Sequence, residues 1–259
     1  MDERDHSWAS LPVELQDAIL HLVVHGNEGM KWRKLMEAVL CFVCKSWRDR
    51  KSTWQFDPKY RLSRGACVLT SEAAFRGNLS LLKWLREKQC PWDRFTCAHA
   101  AASGNLEVLK WARENGCHWD RQTTRKASKN GHLSLLKWLL EQGCPCDEIA
   151  RVEAASGGRF EVLKFLRQED CPWHTETCHL AAQHGHLEIL KWARENGCPW
   201  QPDRAVFLAG YGGQIKVLKW LRENGCLMNS AQSGAASQGH LGGLKWLKEI
   251  GGIEWTIES

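Results

Sequence analysis

The sequence predicts an all-α solenoid, about seven helix–turn–helix repeats in tandem behind a small N-terminal helical domain. Three regularities predict it. A lysine–aromatic pair recurs at Lys83-Trp84, Lys110-Trp111, Lys137-Trp138, Lys164-Phe165, Lys191-Trp192, Lys219-Trp220 and Lys245-Trp246, at spacings of 27, 27, 27, 27, 28 and 26 residues. A glycine follows each first helix, at Gly77, Gly104, Gly131, Gly158, Gly185, Gly213 and Gly239. Alanine stands four residues before each of these, at Ala73, Ala100, Ala127, Ala154, Ala181, Ala209 and Ala235. A fixed short period marks stacked supersecondary units, none stable alone, which together make a long surface for gripping another macromolecule.

The copy from Cys178 to Trp200 shows how each element arises. The first helix is short and ends before Gly185, which is free to take the left-handed conformation of a tight turn. The second runs from about Leu187 to Asn196, with Leu187, Leu190 and Ala193 or Trp192 on its buried stripe. Asn196-Gly197 is a stop signal, and Pro199 prevents continuation. The alanine column lets neighbouring first helices approach closely. Leu82, Leu109, Leu136, Leu163, Leu190, Leu218 and Leu244 are packing positions, and the lysine-following aromatic column reads as core. Trp92, Trp119, Trp173 and Trp200 form a second column in the turns, read as mortar between repeats. Each recurring lysine except Lys164 has a glutamate four residues on, as in Lys191/Glu195, which predicts a solvated face laced with ion pairs.

The run His179-Leu-Ala-Ala followed by Gly185-His-Leu-Glu-Ile-Leu-Lys and Glu195-Asn-Gly resembles the ankyrin repeat, and all seven copies share the pattern. The resemblance spans roughly residues 66–259 and implies a protein-binding stack. The family's unit is about 33 residues, so at 27 these copies imply tight Cys-Pro-Trp turns in place of projecting hairpins. It further implies target contacts where the copies vary, at the turn and the start of each first helix: Arg94, Phe95, Arg121, Gln122, Glu148, Ile149, Thr175, Glu176, Asp203 and Arg204.

Residues 1–64 lack the repeat and read as a separate domain ahead of 65–259. Ser10 and Pro12 open a helix, and Leu15, Ile19 and Leu22 make its apolar stripe. Leu11-Pro-x-Glu-Leu15 with Ile19-Leu20, followed downstream by Val43-Cys44-Lys-x-Trp47, is similar to the F-box. That likeness implies docking on the small adaptor subunit of a cullin–RING ubiquitin ligase through Leu11, Pro12, Leu15, Ile19, Leu20, Val43, Cys44 and Trp47. The stretch around residues 25–29 is longer than the family's. The other reading is a plain ankyrin scaffold whose N-terminal helices only cap the first repeat.

Charge and cysteine usage narrow the remaining possibilities. The net charge of +5 is thinly spread, with 11 Lys/Arg against 9 Asp/Glu in residues 1–64, so no basic block marks a nucleic-acid footprint. No apolar run approaches the 18 residues of a membrane span. Of twelve cysteines, Cys90, Cys117, Cys144, Cys171, Cys198 and Cys226 fall one per repeat. Stacked helices lie about 8–10 Å apart, too far for a column to bridge to itself. Free thiols point to a reducing compartment, cytoplasmic or nuclear. Cys41/Cys44 and the Cys178, His179, His184, His186 group lack the ligand pattern of a metal site, and Cys146 reads as a packing variant of the turn tryptophan. No phosphate loop, nucleophile elbow or carboxylate pair appears. The expectation is a non-enzymatic interaction protein without cofactor.

Overall fold

The computed structural model describes residues 70–87, 91–169 and 171–251. The F-box-like segment with Leu11, Pro12, Leu15, Ile19, Leu20, Val43 and Trp47, the expected boundary at 64/65 and Cys90 lie outside the described residues. Those described form fourteen helices and no strand. They alternate as first and second helices: α1 (70–75), α2 (Leu79–Glu87), α3 (Arg94–Ser103), α4 (Leu106–Glu114), α5 (Arg121–Asn130), α6 (Leu133–Glu141), α7 (Glu148–Ser156), α8 (Phe160–Gln168), α9 (Glu176–Gln183), α10 (Leu187–Glu195), α11 (Pro202–Tyr211), α12 (Ile215–Glu223), α13 (Asn229–Ser237) and α14 (Leu241–Gly251). The chain divides into two compact units between Thr123 and Thr124.

Every first helix ends the same way. The turn glycine is left-handed in all seven copies, from φ 65° at Gly213 to φ 84° at Gly131. The next backbone N–H then reaches back to the column alanine's carbonyl, as in Asn105 to Ala100 at 2.9 Å, Arg159 to Ala154 at 2.8 Å and His240 to Ala235 at 2.9 Å. This 6→1 bond satisfies a carbonyl the helix end would orphan, so the alanine and glycine columns are two ends of one motif. Second helices close alike: Gly116, Gly143, Gly197 and Gly225 are left-handed, and the following cysteine N–H bonds back, as Cys198 to Ala193 at 2.9 Å. Asn196 caps α10, one residue short of the expected end.

The alanine column is fully buried, as expected. In the second unit α7 packs on α9, α9 on α11 and α11 on α13. The last of these pairs is the tightest: a Cβ on Gly210 would overlap the Ala231 carbonyl, and one on Gly234 the Phe207 carbonyl. The second helices from α2 to α12 each bury three positions, as Val108, Leu109 and Ala112 in α4 or Ile189, Leu190 and Ala193 in α10, whereas in α14 Leu247 is sealed and Leu244 only half-buried. Leu187 is only half-buried.

The aromatic column is not core. Trp84, Trp111, Trp138, Phe165, Trp192, Trp220 and Trp246 are all half-buried, while the next residue, such as Leu85, Leu139 or Leu166, is sealed. The buried stripe follows the i, i+1, i+4 rows of the helix, which puts the large ring at its margin. There the rings line a seam between repeats. Lys83 lies over the Trp111 ring at 6.0 Å and Lys137 over Phe165 at 5.4 Å. Turn tryptophans close it from the other side: Trp92 meets Trp111 edge-on at 5.8 Å and Trp173 meets Trp192 at 5.9 Å. Mortar between repeats fits Trp92 and Trp173, and Arg86, Arg113 and Arg194 stack on Trp92, Trp119 and Trp200 at 4.2–4.5 Å.

Candidate protein-interaction surface

The varying positions fall around the starts of α3, α5, α7, α9 and α11. Arg94, Phe95, Arg121, Asp203 and Arg204 are exposed, whereas Gln122, Glu148, Ile149, Thr175 and Glu176 are half-buried. Local chemistry fixes these starts. Asp93 accepts from the Phe95 N–H at 2.9 Å, Asp120 from Gln122 at 2.8 Å, and His174 Nδ1 from Glu176 at 3.1 Å. The residue after the turn tryptophan, or after Cys146, is the N-cap at Asp93, Asp147 and Gln201, whereas Thr175 holds that place before α9 and His174 reaches in from one residue earlier. That role was readable from the Asp93, Asp120, Asp147 column.

Several of these side chains are already engaged between neighbouring repeats. In the first unit Arg94 lies 3.2 Å from Asp120. In the second, Arg204 lies 3.5 Å from Glu176, Lys129 lies 2.9 Å from Glu153, and Arg125 grips Asp147 with two nitrogens. Arg125 is held above its ordinary pKa, chiefly by the hydrogen bond to Asp147. Two lysines of the second helices pair backwards along the helix, and for Lys191 this differs from the expected Glu195. Lys191 meets Glu188, three residues before it, at 3.2 Å, and Lys164 meets Glu161 at 3.0 Å.

Sequence reasoning missed an aromatic cluster in the first unit. Phe75 and Phe95 are 46% and 45% exposed, high for such rings. The Phe75 and His99 rings meet edge-on at 6.3 Å, and Arg94 sits 5.2 Å over Phe95. His99 Nδ1–H donates to the Phe95 carbonyl at 2.8 Å, which fixes its ring. Exposed aromatics beside an arginine have the composition of interface anchors. The signal was available, since Phe75 and Phe95 stand at first-helix positions that no repeat-wide role demands.

His186, His240 and His179 have structural roles. His186 Nε2–H donates to the Ser156 carbonyl at 3.1 Å and His240 Nε2–H to Tyr211 at 2.9 Å. Asn105 reaches Phe75 O at 3.0 Å, and Arg159 reaches Lys129 O at 3.0 Å. In these four copies the polar residue after the turn glycine caps the first helix of the preceding repeat, whereas Gln214 bonds Gly212 O in its own turn at 2.9 Å. Buried His179 accepts the Gln201 N–H on Nε2 at 3.1 Å, and burial pushes its pKa below the ordinary value. All eight described cysteines are free. Cys117 donates to Asp93 O at 3.3 Å, which ties that column to the repeat before it. No group of three or more metal-ligating side chains occurs among the described residues.

Family models for ankyrin repeats match residues 97–140 and 124–203. Residues 97–203 are ankyrin repeats. The crystal structure of the human ASB11 ankyrin repeat domain is similar, with 19% sequence identity, 62% of this chain and 85% of that chain covered, and a TM-score of 0.49. Comparison with curated proteins returned no match. Ankyrin repeats are characteristically a non-enzymatic interaction module, and neither matching model describes a catalytic family.

Proposed function

We propose that this chain is a substrate-recognition subunit of a cullin–RING ubiquitin ligase, working in the cytoplasm or nucleus. The ankyrin stack would hold a protein target, and the N-terminal segment would dock on the small adaptor subunit. One observation carries the ligase reading: Leu11-Pro-x-Glu-Leu15 with Ile19-Leu20, then Val43-Cys-Lys-x-Trp47, stand in F-box order ahead of a recognition array. The target reading is supported by the exposed first-helix starts at Arg94, Phe95, Arg121 and Arg204 and, in the first unit, by the Phe75, Phe95, His99 cluster beside Arg94.

Co-purification with the ligase adaptor tests the first half. Wild type should retain the adaptor, and Leu11→Ala with Pro12→Ala should lose it while the helical signal of the repeats stays unchanged, since a few apolar anchors dominate such docking. Absence of adaptor on the wild type leaves the plain scaffold as the answer. For the second half, Phe75→Ala with Phe95→Ala and, separately, the triple change of Arg94, Arg121 and Arg204 to Ala should each reduce capture of cellular partners. If both keep wild-type partners and yield, the target surface lies elsewhere, with the Lys/Glu face of the second helices next in line.

A further inference from the structure

Four departures from the repeat pattern fall in or beside two successive turns, the one before α7 and the one before α9. Cys146 stands where other copies place Trp92, Trp119, Trp173 and Trp200. Arg151 stands where they place Thr70, Cys97, Thr124, Cys178 and Val206. Leu140 replaces the stacking arginine of Arg86, Arg113 and Arg194, and Glu169-Asp170 replaces the Asn-Gly pair before the column cysteine. The geometry shows what the first two create. Without a tryptophan at 146 there is room for a thiol, and the Cys146 and Cys171 Sγ atoms lie 3.2 Å apart.

Arg151 completes the site. It is fully buried, donates one terminal N–H to the Leu166 carbonyl at 2.9 Å, and lies 4.5 Å over the Trp173 ring. Its Nε–H and other terminal NH₂ are buried with no partner. A buried cation with idle donors is costly unless negative charge forms beside it. Of the nearby thiols, Cys171 weighs most on Arg151, and it lies below the ordinary cysteine range through its hydrogen bond with Cys146 and the positive charge of Arg151, against the opposing effect of burial. Cys146, as donor, is pushed up. The two thiols are thus unequal, one a nucleophile and one holding the proton, the arrangement of an attacking cysteine beside a resolving one.

We propose that Cys171 and Cys146 are a peroxide-reactive dithiol, closing reversibly to a disulfide that ties the turn before α7 to the turn before α9. The Cys171 thiolate attacks one oxygen of hydrogen peroxide. The S–O bond forms as the O–O bond breaks, leaving a sulfenic acid and hydroxide. The Cys146 sulfur then gives up its proton and displaces the hydroxyl from the Cys171 sulfur. In sum two thiols are oxidised, one peroxide is reduced, and two waters leave. Closure brings the sulfurs from 3.2 Å to about 2 Å. A thiol reductant reverses it by exchange.

The test is peroxide titration of the full chain, first reduced and then freed of reductant, with free thiols alkylated and the digest read by mass spectrometry. A linked peptide pair containing Cys146 and Cys171, two hydrogens lighter than its parts, should form before any other cysteine reacts. Cys178 and Cys198, also neighbours but both fully buried, should stay alkylatable only after denaturation. Cys146→Trp, the residue of the other copies, should stop the linkage and leave a sulfenic acid on Cys171 that a dimedone probe captures. Arg151→Thr, again a residue of other copies, should slow the reaction by roughly three- to tenfold. The wild-type result stands by itself if a variant fails to fold. Equal reactivity of all thiols, first linkage at Cys178–Cys198, or linkage only between chains would overturn the proposal.

Discussion

At the scale of single residues, burial separates positions the stack needs from positions it leaves open. Leu163 is fully buried in α8, and Leu163→Ala should cost about 2–5 kcal/mol, since a packed helix pair relaxes little around a cavity. The arginines at the helix starts behave differently. Arg94 and Arg204 have side chains 58% and 52% exposed, so their ion pairs contribute at most about 1 kcal/mol each. Melting curves of Leu163→Ala and of the triple arginine variant should therefore diverge by several degrees. A second expectation concerns pH. His179 is buried and neutral, and burial holds its folded pKa below the ordinary value of 6.5, more than the nearby Glu176 raises it. As pH falls through 6.5, the unfolded chain takes up the proton first, so the stabilisation is whole above that value and shrinks below it. Thermal melts between about pH 7 and pH 5 should show a steeper loss for wild type than for His179→Gln, which keeps an acceptor without a titrating ring. Parallel slopes would show that His179 does not govern this window.

At the scale of elements, turns matter more than helices. Gly158 and Gly197 both sit at left-handed φ, +69° and +77°, but a Cβ on Gly158 would come within 2.6–3.0 Å of the His186 ring, whereas Gly197 has nothing within 4 Å. Gly197→Ala should cost the backbone strain alone, about 1–2 kcal/mol. Gly158→Ala should cost that and also displace the His186 cap. Urea titrations of the pair isolate the difference, expected at about 1 kcal/mol or more; equal midpoints would show that the His186 ring yields freely. Helices, turns and the alanine column were legible in the sequence because seven copies act as an internal alignment, and a position that never changes announces a local constraint. What escaped was pairing across copies. Trp192 looks like core because it recurs, yet recurrence does not distinguish a buried residue from one that meets its neighbour at a seam. Nor does spacing reveal that Lys191 turns back to Glu188, which depends on side-chain direction. Cys146 reads in sequence only as a packing variant, and spacing could not show that it lies beside Cys171, a contact across copies.

At the scale of the whole molecule, a repeat stack draws its stability from neighbour contacts, repeat on repeat. The ladder of cross-repeat caps belongs here, because Asn105, Arg159, His186 and His240 all bond the first helix of the copy before them. His240→Ala should leave the Tyr211 carbonyl without its protein donor and cost about 1 kcal/mol, measurable as a lower urea midpoint; an unchanged midpoint would mean water serves that carbonyl equally well. The ladder runs one way only, and that gives the array a direction. A chain emerges from the ribosome amino end first, so each first helix is made before the residue that closes its end. At Asn105, Arg159, His186 and His240 the closing residue arrives only with the next repeat, so synthesis would seal those four helix ends in order from the amino side, each by the arrival of its successor.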